Sequence, residues 1–352
     1  MEETSIHDTA GTVRRWLDSG HRVAFARVVS RTGFSGDTEM ELLACNEHGE
    51  EAGGLLRGTV AEASAAALRK ALDDPDAGAS VLSARVKTEE AVGAGLSCGG
   101  SAQVLVQPAQ TVPSVLWSAL AEQHPVVLAT GIQGRVADAG SLVVLPGATT
   151  EGTLGHEADD QAVAERARKL LDGGLASTQM LETEGGTVLI EAFIPEPHVI
   201  VAGDGALADA IVVQAQLLGW PARVVTNDED LGAALAWGGE AAAPVVLSHD
   251  PQFGPSALYA ALQSNCFYIG ALGSRGTQAN RSTRLKAMGV SEEQLRHIHG
   301  PVGLDLGGRS PAQVALAICA EVLAVRTRRE GVQLRTTEGP IRSAKQPAAA
   351  AG

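Results

Sequence analysis

The stretch HVIVAGDGALA, residues 198–208, runs a short apolar strand straight into Gly203-Asp-Gly205-Ala-Leu-Ala208. That is the G-x-G-x-x-[GA] spacing, and its meaning depends on what flanks it. Behind it, DAIVVQAQLLGW (209–220) reads as an apolar-faced helix and PARVVTNDED (221–230) as a second strand. In that setting Gly203 makes the bend, Gly205 lets backbone approach a ligand, and Ala208 allows close packing of helix on strand. The first turn of such a helix offers unpaired N–H groups and partial positive charge to a phosphate. Asp204 sets a negative charge inside the loop. The second strand ends at Thr226, where an acidic residue would grip the ribose of a nicotinamide dinucleotide, and Asp228 falls two places late. A phosphate-binding turn is therefore expected, with NAD(P) as an alternative ligand. A Rossmann sheet that keeps the turn but binds nothing is the third alternative.

The same pattern continues outward. PVVLSHDP (244–251) and CFYIGALGSR (266–275) are two more strands, ending in His249-Asp250 and in Gly273-Ser274-Arg275. Both ends fall on the carboxyl edge, where open α/β sheets take ligands. Gly273 and Ser274 could wrap backbone around an anion and Arg275 could grip it with two hydrogen bonds; the plainer alternative is a turn with an exposed arginine. SEEQLRHIH (291–299) begins with a serine N-cap, and His297 is expected on the face of that helix. His299-Gly-Pro-Val-Gly-Leu-Asp305 and Gly307-Gly-Arg309-Ser310 form a glycine-rich loop into a closing helix, 310–329, with Pro311 at its first position. Strands alternating with helices imply a Rossmann-like, doubly wound parallel sheet over 195–330. Pro195 and Pro197 mark its boundary. Residues 331–352, ending SAKQPAAAAG, are expected to be a disordered tail.

Residues 1–194 have a different grammar, and it repeats. HRVAFARVVSRTG (21–33), a strand–turn–strand over 40–58, an alanine-rich helix over 61–74, VLSARVK (81–87) and AQVLVQP (102–108) make the first copy. PVVLATGI (125–132), GSLVVLPGATTEGTLGH (140–156), QAVAERARKLLDGG (161–174) and GGTVLIEAFIP (185–195) match it in order, offset by about one hundred residues. This is a duplicated α+β domain. In the first copy the last turn is GLSCGGS (95–101), where Cys98 stands against Gly99 and Gly100; the second has only Gly185-Gly186 there. The thiol is not needed to make the turn. A small apolar residue filling a gap is the competing account of Cys98.

The bulk numbers fit two α/β domains: 352 residues, 45% hydrophobic, 41 glycines and only 3% aromatic. A formal net charge of −14 argues against a nucleic-acid partner, which needs a basic face. Cys45, Cys98, Cys266 and Cys319 lie far apart, which suits reduced thiols and a cytoplasmic setting. No CxxC pair or HExxH is present, so no protein-bound metal is expected. No apolar run approaches the ~20 residues of a spanning helix, and the acidic MEETSIHDTA start does not read as a secretory signal.

Taken together, GLSCGG (95–100), the 203–208 turn, SHD (248–250), YIGALGSR (268–275) and IHGPVGLDLGGRSP (298–311) resemble the xanthine dehydrogenase accessory (XdhC/CoxI) family over residues 20–330. The resemblance implies a maturation factor that binds the molybdenum cofactor, a molybdopterin, and protects it. The alternatives are an NAD(P)-dependent oxidoreductase using the C-terminal Rossmann domain, and a scaffold that docks hydroxylase and desulfurase without holding the cofactor. The resemblance also implies help in exchanging an oxo for a sulfido ligand through a cysteine desulfurase, and delivery of the cofactor to an apo molybdenum hydroxylase. Cys98 is then the thiolate ligand of the molybdenum and the group that handles sulfur, since thiolates suit soft metals. Cofactor contacts are implied at Gly99, Gly100, Gly203, Gly205, Ala208, His249, Asp250, Gly273, Ser274, Arg275, Asp305 and Arg309. Expected partners are the hydroxylase, the desulfurase and a second copy of the chain as a homodimer, with no membrane anchor. The chain departs from the family in one respect. The segment Gly54–Glu62 lacks the family's second cysteine, so a two-thiol site is not expected.

Overall fold

The computed structural model describes residues 5–34, 40–76, 78–96, 98–138, 140–248 and 250–336. Contacts divide the chain into two compact units, one through Ile194 and one from Pro195.

The first unit opens with α1 (Ile6–Asp18), which the polar start of the sequence does not advertise. Ser5 caps it by accepting from the Asp8 N–H, and Thr9, Ala10 and Val13 are its buried face. Next come β1 (Val23–Thr32), β2 (Leu42–Asn46), β3 (Glu51–Gly53), α2 (Ala61–Asp73), β4 (Ser80–Val86), α3 (Thr88–Gly93) and β5 (Gly100–Pro108). The second copy runs α4 (Val115–Ala121), β6 (Val126–Gly134), β7 (Ser141–Val144), β8 (Thr150–Gly152), α5 (Glu157–Gly173), β9 (Ser177–Thr183) and β10 (Gly186–Phe193). The sheets have the orders β3-β2-β1-β5-β4 and β8-β7-β6-β10-β9, which are the same order twice. Every recorded pairing in them is antiparallel. The duplication is thus a duplication of topology.

Alternation along the central strands decides the layering. Ala24 and Ala26 face α2, through Leu68, Ala71 and Leu72. Phe25 faces inward, with Val23, toward Leu128, Val126 and the apolar sides of α1 and α4. Val127, Ala129, Val188 and Ile190 likewise take α5 through Val163, Ala164 and Ala167. The unit is a helix–sheet–sheet–helix stack, with α1 and α4 packed on each other in the inner core. Phe25 meets Trp117 of α4 edge to face at 4.8 Å.

A buried ion pair lies between the two sheets. Arg27 donates through Nε to Glu191 at 2.8 Å and through Nη2 to Gln107 at 3.0 Å, and both ends of the pair are 2% exposed. The pairing register sets Arg27 opposite Leu105 and Thr130 opposite Leu189, so Arg27 corresponds to Thr130 and Gln107 to Glu191. The copies have diverged at matching positions into complementary groups. Burial pushes the Glu191 carboxyl up and the Arg27 guanidinium down, and each partner opposes the shift.

The second unit is β11 (His198–Ala202), α6 (Ala206–Leu217), β12 (Ala222–Val225), α7 (Asp228–Gly238), β13 (Ala242–Val246), α8 (Phe253–Leu262), β14 (Ile269–Ala271), α9 (Arg275–Ala287), α10 (Glu292–Leu295), β15 (Ile298–His299) and α11 (Pro311–Arg326). All strands pair in parallel in the order β12-β11-β13-β14-β15. Helices α6 and α11 cover one face through Ile211, Ala215, Ile318 and Val322. Helices α7, α8 and α9 cover the other through Leu231, Leu235, Leu258 and Leu285. This is the doubly wound sheet that the strand–helix alternation implies.

Three sequence expectations need correction. The second strand of 40–58 is only Glu51–Gly53, because the chain then turns through Leu56 and Arg57, both in the left-handed region at φ 46° and 54°. His297 is in a turn and not on a helix face. The Ser291–Gln294 capping box starts α10, but Ile298 is drawn into the sheet beside Ile269 and cuts the helix short. The tail expected from 331 carries a single helical turn at Leu334–Thr336, and residues 337–352 lie outside the described ones.

Candidate functional site

In the order β12-β11-β13-β14-β15 the chain first winds outward from β11 to β12, then returns to the other side of β11 for β13. The crevice at such a reversal, outside the carboxyl ends of the strands, is where open α/β sheets bind ligands. The glycine turn lies there. Gly203 has φ +133°, and a Cβ on it would lie 2.9 Å from the Ser248 nitrogen at the end of β13, so only glycine fits. Gly205 has φ +94° and serves as the N-cap of α6 with no side chain to offer its N–H groups. Ala208 is fully buried, as the packing of helix on strand requires. Among the described residues the first amides of α6 have no acceptor, and the helix dipole adds partial positive charge.

Two strands across, at the end of β14, a second set of amides is aimed outward. Gln278 of α9 donates to the carbonyls of Ala271 (2.9 Å) and Gly273 (3.3 Å), and Arg281 donates to that of Leu272 (3.0 Å). Arg281 also holds Gln278 through its Oε1 at 2.7 Å. In a trans peptide the N–H points opposite its carbonyl. Pinning the Leu272 and Gly273 oxygens on α9 therefore turns the Gly273 and Ser274 N–H groups away from it. Neither has an acceptor among the described residues. Ser274 caps α9, its hydroxyl accepting from Thr277 N at 3.2 Å and its carbonyl from Gln278 N at 3.0 Å, so only its N–H is left without an acceptor among the described residues. Arg275 opens α9, exposed and without a hydrogen bond or ion pair among the described residues.

The other sequence-singled residues fare differently. Asp250 caps the start of α8, one carboxylate oxygen accepting from Gln252 N and Phe253 N, both at 2.8 Å. Those two bonds hold its carboxyl below the ordinary aspartate range. His249 lies outside the described residues. Asp305 and Arg309 are exposed on the loop that leaves the edge strand β15. Thr226 is exposed just past β12, Asn227 caps α7, and the Asp228 carboxylate accepts from Ser256 at 2.8 Å.

Glu321 of α11 is a residue that the sequence does not single out. It accepts from Tyr268 at 2.5 Å and from Gly303 N at 2.9 Å, and His299 stands 3.8 Å from its other oxygen. Burial pushes this carboxyl up, but bonds from His299, Tyr268 and Gly303 outweigh it and hold it low. Burial, and then Glu321, raises the Tyr268 phenol. Glu321 thus ties the 299–305 loop to the start of β14. Gln278, Arg281 and Glu321 leave no sequence signal, because each is an ordinary polar residue on a helix.

In the first unit, Cys98 is part-buried and its thiol donates to the Gly33 carbonyl at 2.8 Å. Gly99 and Gly100 serve closeness of backbone. A Cβ on Gly99 would meet the Val86 carbonyl at 2.5 Å, and one on Gly100 would overlap the Thr32 carbonyl. Arg57 reaches the same loop, its guanidinium 2.7 Å from where a Cβ on Gly95 would stand. It comes from the Gly54–Glu62 segment that lacks the second cysteine. Burial pushes the Cys45 and Cys319 thiols up to about 11 and raises that of Cys266.

Residues 199–322 match the family described as the XdhC Rossmann domain. Among curated proteins the chain is similar to YqeB of Escherichia coli (strain K12), an uncharacterized protein, at 25% identity over 194 residues, 49% of this chain and 36% of that one. It is similar to PaoD of the same organism, a molybdenum cofactor insertion chaperone, at 38% over 88 residues, 25% of this chain and 28% of that one. A third relative, a probable xanthine dehydrogenase subunit of Bacillus subtilis (strain 168), is 34% identical over 86 residues, 24% of each chain. The chain thus spans about a third or less of the length of these relatives. A crystal structure of a xanthine dehydrogenase from Bacillus halodurans superposes with a TM-score of 0.45 at 17% identity, covering 93% of this chain and 98% of that one.

Proposed function

We propose, from the premise that residues 199–322 are an XdhC Rossmann domain, that this chain is a maturation factor for a molybdenum hydroxylase. It receives the molybdenum cofactor, shelters it, assists exchange of an oxo for a sulfido ligand with a cysteine desulfurase, and passes the cofactor to the apo-hydroxylase. A second copy of the chain is a further proposed partner. The observation that carries the reading is the set of outward amides that have no acceptor among the described residues, on two parts of one sheet edge: the first turn of α6, and Gly273 with Ser274, beside Arg275, whose side chain has no partner among the described residues. Such a set matches a phosphate-bearing ligand. A relative matched over 88 residues and named as a molybdenum cofactor insertion chaperone supports molybdopterin as that ligand.

The residues present fit the cargo. Gly205 leaves room for its phosphate end at the start of α6, Gly203 and Ala208 hold the turn and helix in place, and Arg275 supplies a fixed charge with two donors. Asp305 and Arg309 provide exposed polar groups on the adjoining loop. In the first unit, taken by itself, Cys98 supplies a soft donor beside Gly99 and Gly100, and its single thiol takes the sulfur-handling part. The nicotinamide alternative is less well served. Thr226 brings no carboxylate to a ribose, and Asp228 is spent on Ser256. No helix among the described residues is long and apolar enough to cross a membrane.

The test is to co-express the chain with cofactor biosynthesis and measure molybdenum and pterin in the purified protein. Wild type should retain both. Cys98→Ser should lose molybdenum with the fold intact. Arg275→Ala should weaken pterin retention by roughly 1.5–3 kcal/mol, the scale of a charge-assisted hydrogen bond. A protein that carries no pterin but shows saturable fluorescence quenching by NADH would overturn the reading in favour of an oxidoreductase.

A further inference from the structure

The β1–β2 pairing makes a side-chain cluster that no spacing in the sequence announces. Val23 pairs with Asn46, which brings His21, just before β1, beside Glu47 and His48, just after β2. The His21 Nδ1 is 3.2 Å from Glu47 Oε1, and the His48 Nε2 is 3.9 Å from the same oxygen. One ligating atom from each of the three lies within 4.8 Å of the others, and the two rings meet edge to face at 5.0 Å. We propose that His21, Glu47 and His48 bind a divalent transition-metal ion, with Zn2+ the best match to two imidazoles and one carboxylate.

Three features support this. First, donor atoms around a tetrahedral zinc stand roughly 3.3–3.4 Å apart, given bonds of about 2.0–2.1 Å. The His21–Glu47 pair is already at that separation, and a rotation of His48, 62% exposed, closes the rest. Second, Glu47 Oε2 is shielded from solvent and has no hydrogen-bond partner among the described residues. A carboxylate oxygen in that condition is short of a cation or donor. Third, the backbone beneath the cluster is fixed. Glu47 N donates to Arg22 O at 3.2 Å, and the fully buried Asn46 accepts from both His48 N and Glu50 N at 3.0 Å. Gln110 holds the His21 carbonyl at 3.1 Å. Three protein ligands leave one position open for water or a ligand from a partner, the arrangement of an exchangeable rather than a closed structural site. Metal-ligand spacing motifs do not reveal such a site, because 26 residues separate its first two ligands.

The experiment is calorimetric titration of chelator-stripped full-length protein with Zn2+ alone, alongside His21→Gln, His48→Gln and Cys98→Ser. The expected result is one equivalent bound, at least tenfold weaker in both histidine variants and unchanged in Cys98→Ser. Co2+ should give a visible spectrum without a thiolate charge-transfer band. His48 is exposed, so His48→Gln should melt as wild type does without metal, which separates lost binding from lost fold. The proposal is overturned if wild type takes up no Zn2+, if His48→Gln binds as well as wild type, or if the loss follows Cys98→Ser instead.

Discussion

The two copies in the first unit share a strand order and differ where β4 meets β5 and β9 meets β10. In the second copy Glu184-Gly185 is enough to turn the chain from Thr183 to Gly186, and the buried Asp159 of α5 holds that turn by accepting from Gly185 N at 3.0 Å. In the first copy the chain leaves β4 at Val86 and re-enters at Gly100, after α3 and the Cys98 loop. The pair shows that the sheet needs only a tight hairpin. The longer excursion is an addition to one copy, of the kind on which sites are grafted. Divergence also tied the copies together, since Arg27 and Glu191 replace what are Thr130 and Gln107 in the matching positions.

The largest test of that bond is Glu191→Ala. Removing one partner leaves a buried guanidinium uncompensated, so unfolding free energy should fall by about 3–5 kcal/mol in a denaturant melt. A loss under about 1 kcal/mol would mean the copies are held by apolar contact alone. The next test concerns the loop. Gly99→Ala puts a methyl against the Val86 carbonyl and the Thr88 nitrogen, at 2.5 and 2.6 Å, and should cost about 1–3 kcal/mol. In the same loop Gly93, helical and with nothing near its absent Cβ, should gain about 0.4–1 kcal/mol on change to alanine. Equal effects at the two glycines would remove the case for a loop locked by close backbone.

Alkylation at neutral pH, followed by mass spectrometry, should label Cys98 at least tenfold faster than Cys45 or Cys319, whose thiols burial has pushed up to about 11. Cofactor should slow it. If Cys98 labels no faster than Cys319, it is a gap-filler. The last test is confined to acid and to the second copy. Burial pushes the Asp159 carboxyl up, but bonds from Gly185 N, Arg135 and Thr183 outweigh it and hold it below the ordinary range. A depressed carboxylate contributes stability that is present above its unfolded pKa, about 3.9, and lost as pH falls through its folded value. Melting temperature followed from pH 6 to 3 should therefore drop more steeply in wild type than in Asp159→Asn.

Much of the second unit was legible. Ser310, Pro311 and Gln313 announce α11 by local chemistry, and the Gly203–Ala208 turn announces α6. Helices α1 and α4 were not, because their apolar faces become meaningful only against each other and against Phe25 and Leu128. At the candidate site the glycines were visible as steric requirements. Asp250 proved to cap the start of a helix as well as to stand at the sheet edge, since an acid three residues before a helix has either use.

By itself the sequence determined the periodicity of each half, the order of elements that repeats in the first, and the glycine turn that opens α6. These follow from dihedral limits and side-chain alternation within a few residues. Only the tertiary structure decided which groups meet. Arg27 finds Glu191 across 164 residues, Gln278 and Arg281 turn the Gly273 amides outward, and His21 comes to Glu47 and His48. The physical reason is that such encounters depend on strand register and sheet packing, which the whole chain sets together and no local segment contains.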